Sequence, residues 1–188
     1  MKRPDQLIRQ LQQYSDRDDR GTLASLRRGM GMAPGAVPET VRIVEHMLDD
    51  DDTDSTRDAL YVIGPLYAFH PLLQAGDRWN NLGAHFRALT AGGEPSPSVE
   101  RRFTMLLASE PDELPDALRQ AISLLKSQNV PVNWQQLFID VQKWMDRSQY
   151  GEAKRKEVRL AWSRSFWRLS TATDKTALLQ PVHDQPAS

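Results

Sequence analysis

The chain has 188 residues, with 24 Lys and Arg against 25 Asp and Glu, no cysteine, and a formal net charge of −1. The lack of cysteine excludes thiol catalysis, disulfides and Cys-ligated zinc, and the length suffices for one or two domains whose core needs no metal or crosslink. The first ten residues, MKRPDQLIRQ, contain no apolar stretch of the kind a secretory signal needs, and the longest near-apolar run, Ala59 to Phe69, falls far short of the ~20 residues of a spanning helix. No membrane segment and a cytoplasmic protein are the expectation.

A net charge of −1 argues against a strongly basic nucleic-acid binder, but the charge is unevenly spread. Residues 143–168 carry eight basic and three acidic side chains, a net of +5, whereas residues 49–58 carry six aspartates and only Arg57, a net of −5.

Along the chain, Pro4 opens a first helix with Leu7, Ile8 and Leu11 inward, and the run DRDDRG breaks it and caps a second. The second helix, about Thr22 to Arg28, turns Leu23 and Leu26 inward and ends on Arg27 and Arg28, where cations meet the negative end of the dipole. The loop GMGMAPG, Gly29 to Gly35, is not a dinucleotide fingerprint: Pro34 stands where a glycine is required, and a helix precedes it instead of a strand. It reads as a stiff connection into a helix that starts at Pro38, with Val41, Val44 and Leu48 inward.

The acidic run Asp49 to Asp54 lacks calcium-loop spacing, since in register from Asp50 the obligatory Gly is Ser55 and the bidentate Glu is Tyr61. It reads as a solvated linker into a helix from Ser55 to Phe69 that buries Ala59, Leu60, Val62, Ile63 and Leu66, and that Pro65 should kink or end. After a loop with His70, Pro71 and Trp79, Asn81 caps a short helix with Leu82, Phe86 and Leu89. The sequence AGGEPSP then forms the strongest cluster of breakers in the chain. It sets the expected division: an N-terminal helical bundle over 1–91, a linker over 92–97 and a C-terminal helical bundle over 98–172.

Ser96 and Pro97 start the next helix, in which Val99, Phe103, Leu106 and Leu107 form one apolar face. A further helix begins near Asp112, with Pro115 tolerable in its first turn. Leu114, Leu118, Ile122 and Leu125 face inward, and Ala117 and Ala121 admit a close neighbour. Arg119 and Lys126 are seven residues apart and lie almost in line on the opposite face. Asn133 and Gln136 resemble a capping box ahead of Trp134, Leu137, Phe138, Val141, Trp144 and Met145. The last helix, about Glu152 to Leu169, sets Val158, Ala161, Trp162, Phe166 and Leu169 on one face. Aromatics at that spacing are read as core in preference to base-stacking groups. Residues 173–188 show no period and are expected to be disordered. No stretch alternates long enough for a strand, so the fold class is all-α.

His46, His70, His85 and His183 form no i, i+4 pair and no HExxH, so a histidine metal site has no basis. There is no GxSxG and no Walker lysine loop, no carboxylate is singled out by an apolar surround, and no metal, cofactor or catalytic residue is assigned. The remaining constellation is basic: Arg119, Lys126 and the 143–168 segment with Arg147, Arg155 and Arg159. Arginine forks suit phosphates, and such contacts hold a backbone without reading its bases. A helical adaptor that binds only protein stays open as the rival reading, and an enzyme comes third.

Taken as a series, LRRGMGMAPGAVPETVRIVEHML (26–48), SPSVERRFTMLLAS (96–109), DALRQAISLL (116–125) and VNWQQLFIDVQKWM (132–145) resemble the CasB family, the small subunit of the type I-E CRISPR Cascade complex. The resemblance spans about residues 5–167 and leaves out the acidic linker and the tail. It implies two small helical bundles, no enzyme activity, two copies within an RNA-guided complex, and basic residues that hold guide RNA, target DNA and displaced strand. By resemblance Arg27 and Arg28 are the paired basic residues after the second helix, Arg101 and Arg102 the E-R-R pair, and Arg119 the basic position after the leucine. Arg57 and Arg147 match basic positions approximately. The family's next basic residue after E-R-R has no counterpart where Ala108 and Ser109 stand.

Overall fold

The computed structural model describes residues 3–74, 80–90 and 93–167. Over these residues the chain is all-α, as expected: α1 (Arg3–Asp16), α2 (Arg20–Arg27), α3 (Pro38–Met47), α4 (Asp54–Phe69), α5 (Leu82–Ala88), α6 (Pro97–Ala108), α7 (Leu114–Ser127), α8 (Trp134–Trp144) and α9 (Gly151–Trp167). The only strand-like pairing among the described residues is an isolated parallel bridge between Leu73 and Val132. None of the described helices is long and apolar enough to cross a membrane. The expected disordered tail, Arg168, Leu169 and Trp79 lie outside the described residues.

Local chemistry accounts for the helix starts. Side chains of Asp19, Thr53, Asn81, Ser96 and Asn133 each accept a hydrogen bond from the backbone N–H three residues on, satisfying a donor that has no intrahelical acceptor. Pro38, Pro97 and Pro115 occupy first-turn positions, where a missing N–H is harmless. The expected capping box at α8 forms only halfway. The Gln136 amide N–H donates to Asn133 Oδ1 at 3.0 Å, but the Gln136 side chain turns to Asp140, and the Asn133 N–H donates instead to His85 Nε2 at 3.0 Å. Burial pushes the His85 pKa down to about 4, so the ring is neutral and its Nε2 is available as the acceptor.

Three expectations change in three dimensions. Helix α4 does not end at Pro65 but runs on to Phe69, because it lies at the centre of the molecule with every residue from Ala59 to Ala68 buried. Packing on α1, α2, α3 and α8 outweighs one lost backbone bond. In α3 the buried face is Thr40, Ile43, Val44 and Met47, one residue out of phase with the predicted one, and Val41 and Leu48 are partly buried. The acidic run is not simply solvated: Asp52 is withdrawn into an ion pair with Arg3, which also reaches Asp49 at 2.9 Å and the Met47 carbonyl at 3.0 Å. The Arg3 hydrogen bond holds the Asp52 carboxyl below the usual carboxylate range.

The exposed connection 93–96 leads from α5 into α6, and the apolar faces on its two sides meet in one cluster. Phe86 of α5 stacks on Phe103 of α6 at 5.1 Å, and Phe166 of α9 lies 4.2 Å from Phe103. Tyr67 of α4 meets Trp134 of α8 edge-on at 5.6 Å, and Trp144 meets Trp162 at 5.1 Å. Of the last helix's described aromatics, Trp162 and Phe166 belong to the core, as their spacing predicted, whereas Trp167 is exposed, as is Ala161 of the predicted inward face.

Candidate nucleic-acid interface

The ten basic residues singled out in the sequence fall into distinct settings. Arg27 and Arg28 close α2, and the chain then passes through Gly31 in the left-handed region (φ 78°). A Cβ on Gly31 would lie 2.8 Å from Arg119 Cδ, so the glycine is what lets the Arg119 stem of α7 lie across this loop. Nothing in the sequence tied that glycine to an arginine 88 positions away. The fold thereby brings Arg27, Arg28 and Arg119 to one region. Arg102 adjoins it, because Arg102 and Asp116 line the same cavity of about 490 Å³ between α6 and α7.

These cations, and Arg101 next to Arg102 on α6, differ in how they are engaged. Arg119 donates to Asp116 Oδ1 from Nε at 2.9 Å and from Nη2 at 2.7 Å, and Arg28 donates to Glu39 at 2.8 Å. The Arg119 bond, with help from Gln120, lowers the Asp116 pKa. Both pairs are exposed, so they stabilise the fold little and can exchange a carboxylate for a phosphate. The guanidinium groups of Arg27, Arg101 and Arg102 are exposed and have no ion-pair partner among the described residues.

A second group surrounds a cavity of about 730 Å³ between the start of α4 and the turn joining α8 to α9. Here Arg147 pairs with Asp112 at 3.0 Å, and the nearby Arg57 lies 3.3 Å from Glu45 and 3.7 Å from Asp54. Arg155 donates to the Asp146 carbonyl at 3.3 Å. Lys154 pairs with the Asp146 carboxylate and, with two bonds from Ser148, holds its pKa down to about 2. Burial pushes the Asp58 pKa up at the edge of the same cavity, with Arg147 opposing it. Carboxylates interleave with cations throughout, so this group is closer to neutral than the sequence count of +5 suggests.

Two predicted residues are engaged with the fold itself. The Lys126 ammonium donates to the Phe69 carbonyl at 2.7 Å and sits 3.8 Å from the Phe69 ring centroid, fastening the C-terminal end of α7 to that of α4. Arg159 lies 5.1 Å from the Trp144 ring and donates to the Ser109 carbonyl at 2.9 Å. Its guanidinium therefore stands beside Ser109. No group of three or more His, Cys, Asp or Glu among the described residues is placed to hold a metal ion.

Comparison with known proteins fits this architecture. Residues 22–167 match the family model of the CRISPR-associated protein Cse2. The CRISPR-associated protein Cse2 of Thermus thermophilus is 30% identical over 146 residues, 77% of each chain. Among solved structures, a Cse2-family protein from Thermus thermophilus superposes with a TM-score of 0.72 at 26% identity, covering 89% of this chain and 99% of the other. CasB from M. ruber gives a TM-score of 0.70 at 26% identity, covering 96% and 99%. A chain of a CRISPR RNA-guided surveillance complex shares the fold at 22% identity, with a TM-score of 0.69 and coverage of 93% and 97%. Agreement in sequence across most of the chain, and in fold across nearly all of it, leads to one conclusion: this chain belongs to the Cse2, or CasB, family of CRISPR-associated proteins.

Proposed function

We propose that the chain is a non-catalytic small subunit of a type I-E CRISPR surveillance complex, gripping nucleic-acid backbones to stabilise guide RNA, target strand and displaced strand. Its partners in this reading are the other Cascade subunits, a second copy of itself, guide RNA and target DNA, in the cytoplasm. Family membership supports the setting, as does the fold shared with a chain of an RNA-guided surveillance complex. The observation that carries the nucleic-acid role is the exposed set Arg27, Arg101 and Arg102, without carboxylate partners among the described residues, together with Arg28 and Arg119, whose partners are themselves exposed.

Alanine at Arg27, Arg101, Arg102 and Arg119 together should weaken single-stranded DNA binding equally for all sequences and flatten its salt dependence, by about 0.7 in log–log slope for each phosphate no longer neutralised. In the assembled complex, Arg119→Ala with Arg155→Ala should weaken R-loop binding in the same uniform way. A loss that depends on target sequence would contradict the proposal.

One observation favours the rival reading of a protein-only adaptor. The α6–α7 cavity is lined mainly by apolar groups, with Met105 63% exposed beside it, as a docking helix would require. Filter binding of the isolated protein with single-stranded DNA at low salt separates the two, since an adaptor retains none. The division into bundles over 1–91 and 98–172 is part of the same proposal. Limited proteolysis should cut within 92–97 and leave two fragments that stay associated through the shared core.

A further inference from the structure

We propose that Tyr150 is a stacking platform for an unpaired base of single-stranded nucleic acid, a role that rests on the nucleic-acid reading above. The residue lies in the turn between α8 and α9 and is 62% exposed, among the most exposed large side chains described. Every other described tyrosine is buried or half-buried.

The turn beneath it is tightly tied. The Asp146 carboxylate accepts from the Ser148 N–H at 2.7 Å and from Lys154 Nζ, and Ser148 Oγ accepts from the Tyr150 N–H at 3.3 Å. The Ser148 carbonyl accepts from the Gly151 N–H at 2.8 Å, and the Tyr150 carbonyl takes the Lys154 N–H at 3.0 Å. Gly151 closes the turn. A Cβ there would fall 1.9 Å from the Asp146 carbonyl oxygen, so the chain can pass this closely only without a side chain. Because Asp146 titrates at about 2, these ties persist throughout the physiological pH range.

These ties join α8 to α9 and, in doing so, fix the backbone of a ring that is largely exposed to solvent. This suits recognition: a ring held by a fixed backbone loses little freedom when a ligand covers it. The neighbours indicate which ligand. Arg147, whose exposed partner Asp112 is exchangeable, precedes the ring by three residues. Lys154, Arg155 and Lys156 follow it on the first turns of α9, and the Lys156 side chain is exposed with no ion-pair partner among the described residues. Asp146 and Glu152 interleave with these cations, but an exposed π-face near Arg147 and the unpaired Lys156 matches a base attached to phosphates, and because every base has such a face, the contact tolerates any sequence.

The test uses the full chain at low salt with a fluorescent oligothymidylate and an abasic oligomer of equal length. Tyr150→Ala should weaken oligothymidylate binding about 5- to 100-fold, leave the slope of log affinity against log salt unchanged, and leave abasic binding as in the wild type. Tyr150→Phe and Tyr150→Trp should bind as the wild type does, and Tyr150→Leu, of similar apolar bulk, should bind as Tyr150→Ala does. Wild-type affinity in Tyr150→Ala, or in Tyr150→Leu, overturns the platform while salt-dependent binding leaves the basic grip standing. Failure of the wild type to retain either oligomer overturns both.

Discussion

Replacing Gly83 by alanine should destabilise the protein by about 3 kcal/mol and lower its melting temperature by roughly 10 °C, because the new methyl has no space to occupy. Gly83 lies in α5 where that helix crosses α9. A Cβ built on it would fall 2.0 Å from the Trp162 carbonyl oxygen, 2.7 Å from its carbon and 2.9 Å from its Cα. These are backbone atoms of a helix packed on the core and cannot rotate away, unlike the tip of a side chain. Relief requires α9 to move as a body, which would pull Phe166 off Phe103 and loosen the bond from Asn81 Nδ2 to the Ala161 carbonyl. Gly64→Ala is the matched control. Gly64 is also buried in a helix, but its nearest neighbour would be Leu26 Cδ2 at 3.5 Å, an ordinary contact. That variant should gain about 0.5–1 kcal/mol from the helix preference of alanine over glycine. Thermal melts of the two, followed by circular dichroism, should shift in opposite directions; an unshifted Gly83→Ala would refute the close crossing.

The second large effect is electrostatic. Asp140 of α8 is 6% exposed, and burial raises its pKa to about 6 even though Trp162 Nε1 donates to it at 2.7 Å and Gln136 Nε2 at 2.8 Å. The folded-state pKa lies above that of the unfolded chain, so between about pH 4 and pH 6 the folded protein holds a proton that the unfolded chain has lost. Stability therefore falls as pH rises through this window, by about 3 kcal/mol in all, and the loss is complete at neutral pH. Asp140→Asn removes the ionisation and keeps the shape. Its Oδ1 still accepts from Trp162, and the Gln136 amide can turn to accept from the new NH₂. The variant should thus be more stable than the wild type at pH 7 by about 3 kcal/mol, with the difference vanishing near pH 4. Urea titrations at several pH values read this directly. A difference independent of pH would mean that Asp140 titrates normally.

Asp140 also shows why the sequence conceals some groups that matter. It stands in a helix between Ile139 and Val141, yet nothing in its spacing reveals that Trp162, 22 positions later, will cover it. The same holds for His85, which completes the cap of α8 from 48 residues away, and for Gly31 and Gly83. The basic residues were nameable as types, but their engagement was not. Arg101 and Arg102 are exposed as the pattern suggested, whereas Lys126 and Arg159 are bonded to backbone carbonyls of other elements.

What the sequence determined by itself is local. Apolar residues at helical spacing, Ser, Asn, Asp and Thr at helix starts, and proline in first turns specify an all-α chain, because each acts within a few residues along the backbone. What only the tertiary structure decided is which surfaces meet. It carries α4 intact through Pro65, withdraws Asp52 to Arg3, joins the apolar faces on both sides of the 92–97 stretch, and sorts the cations into those held by the fold and those left to solvent. Such choices depend on groups far apart in the chain, whose energies of burial and pairing exist only once the helices have packed.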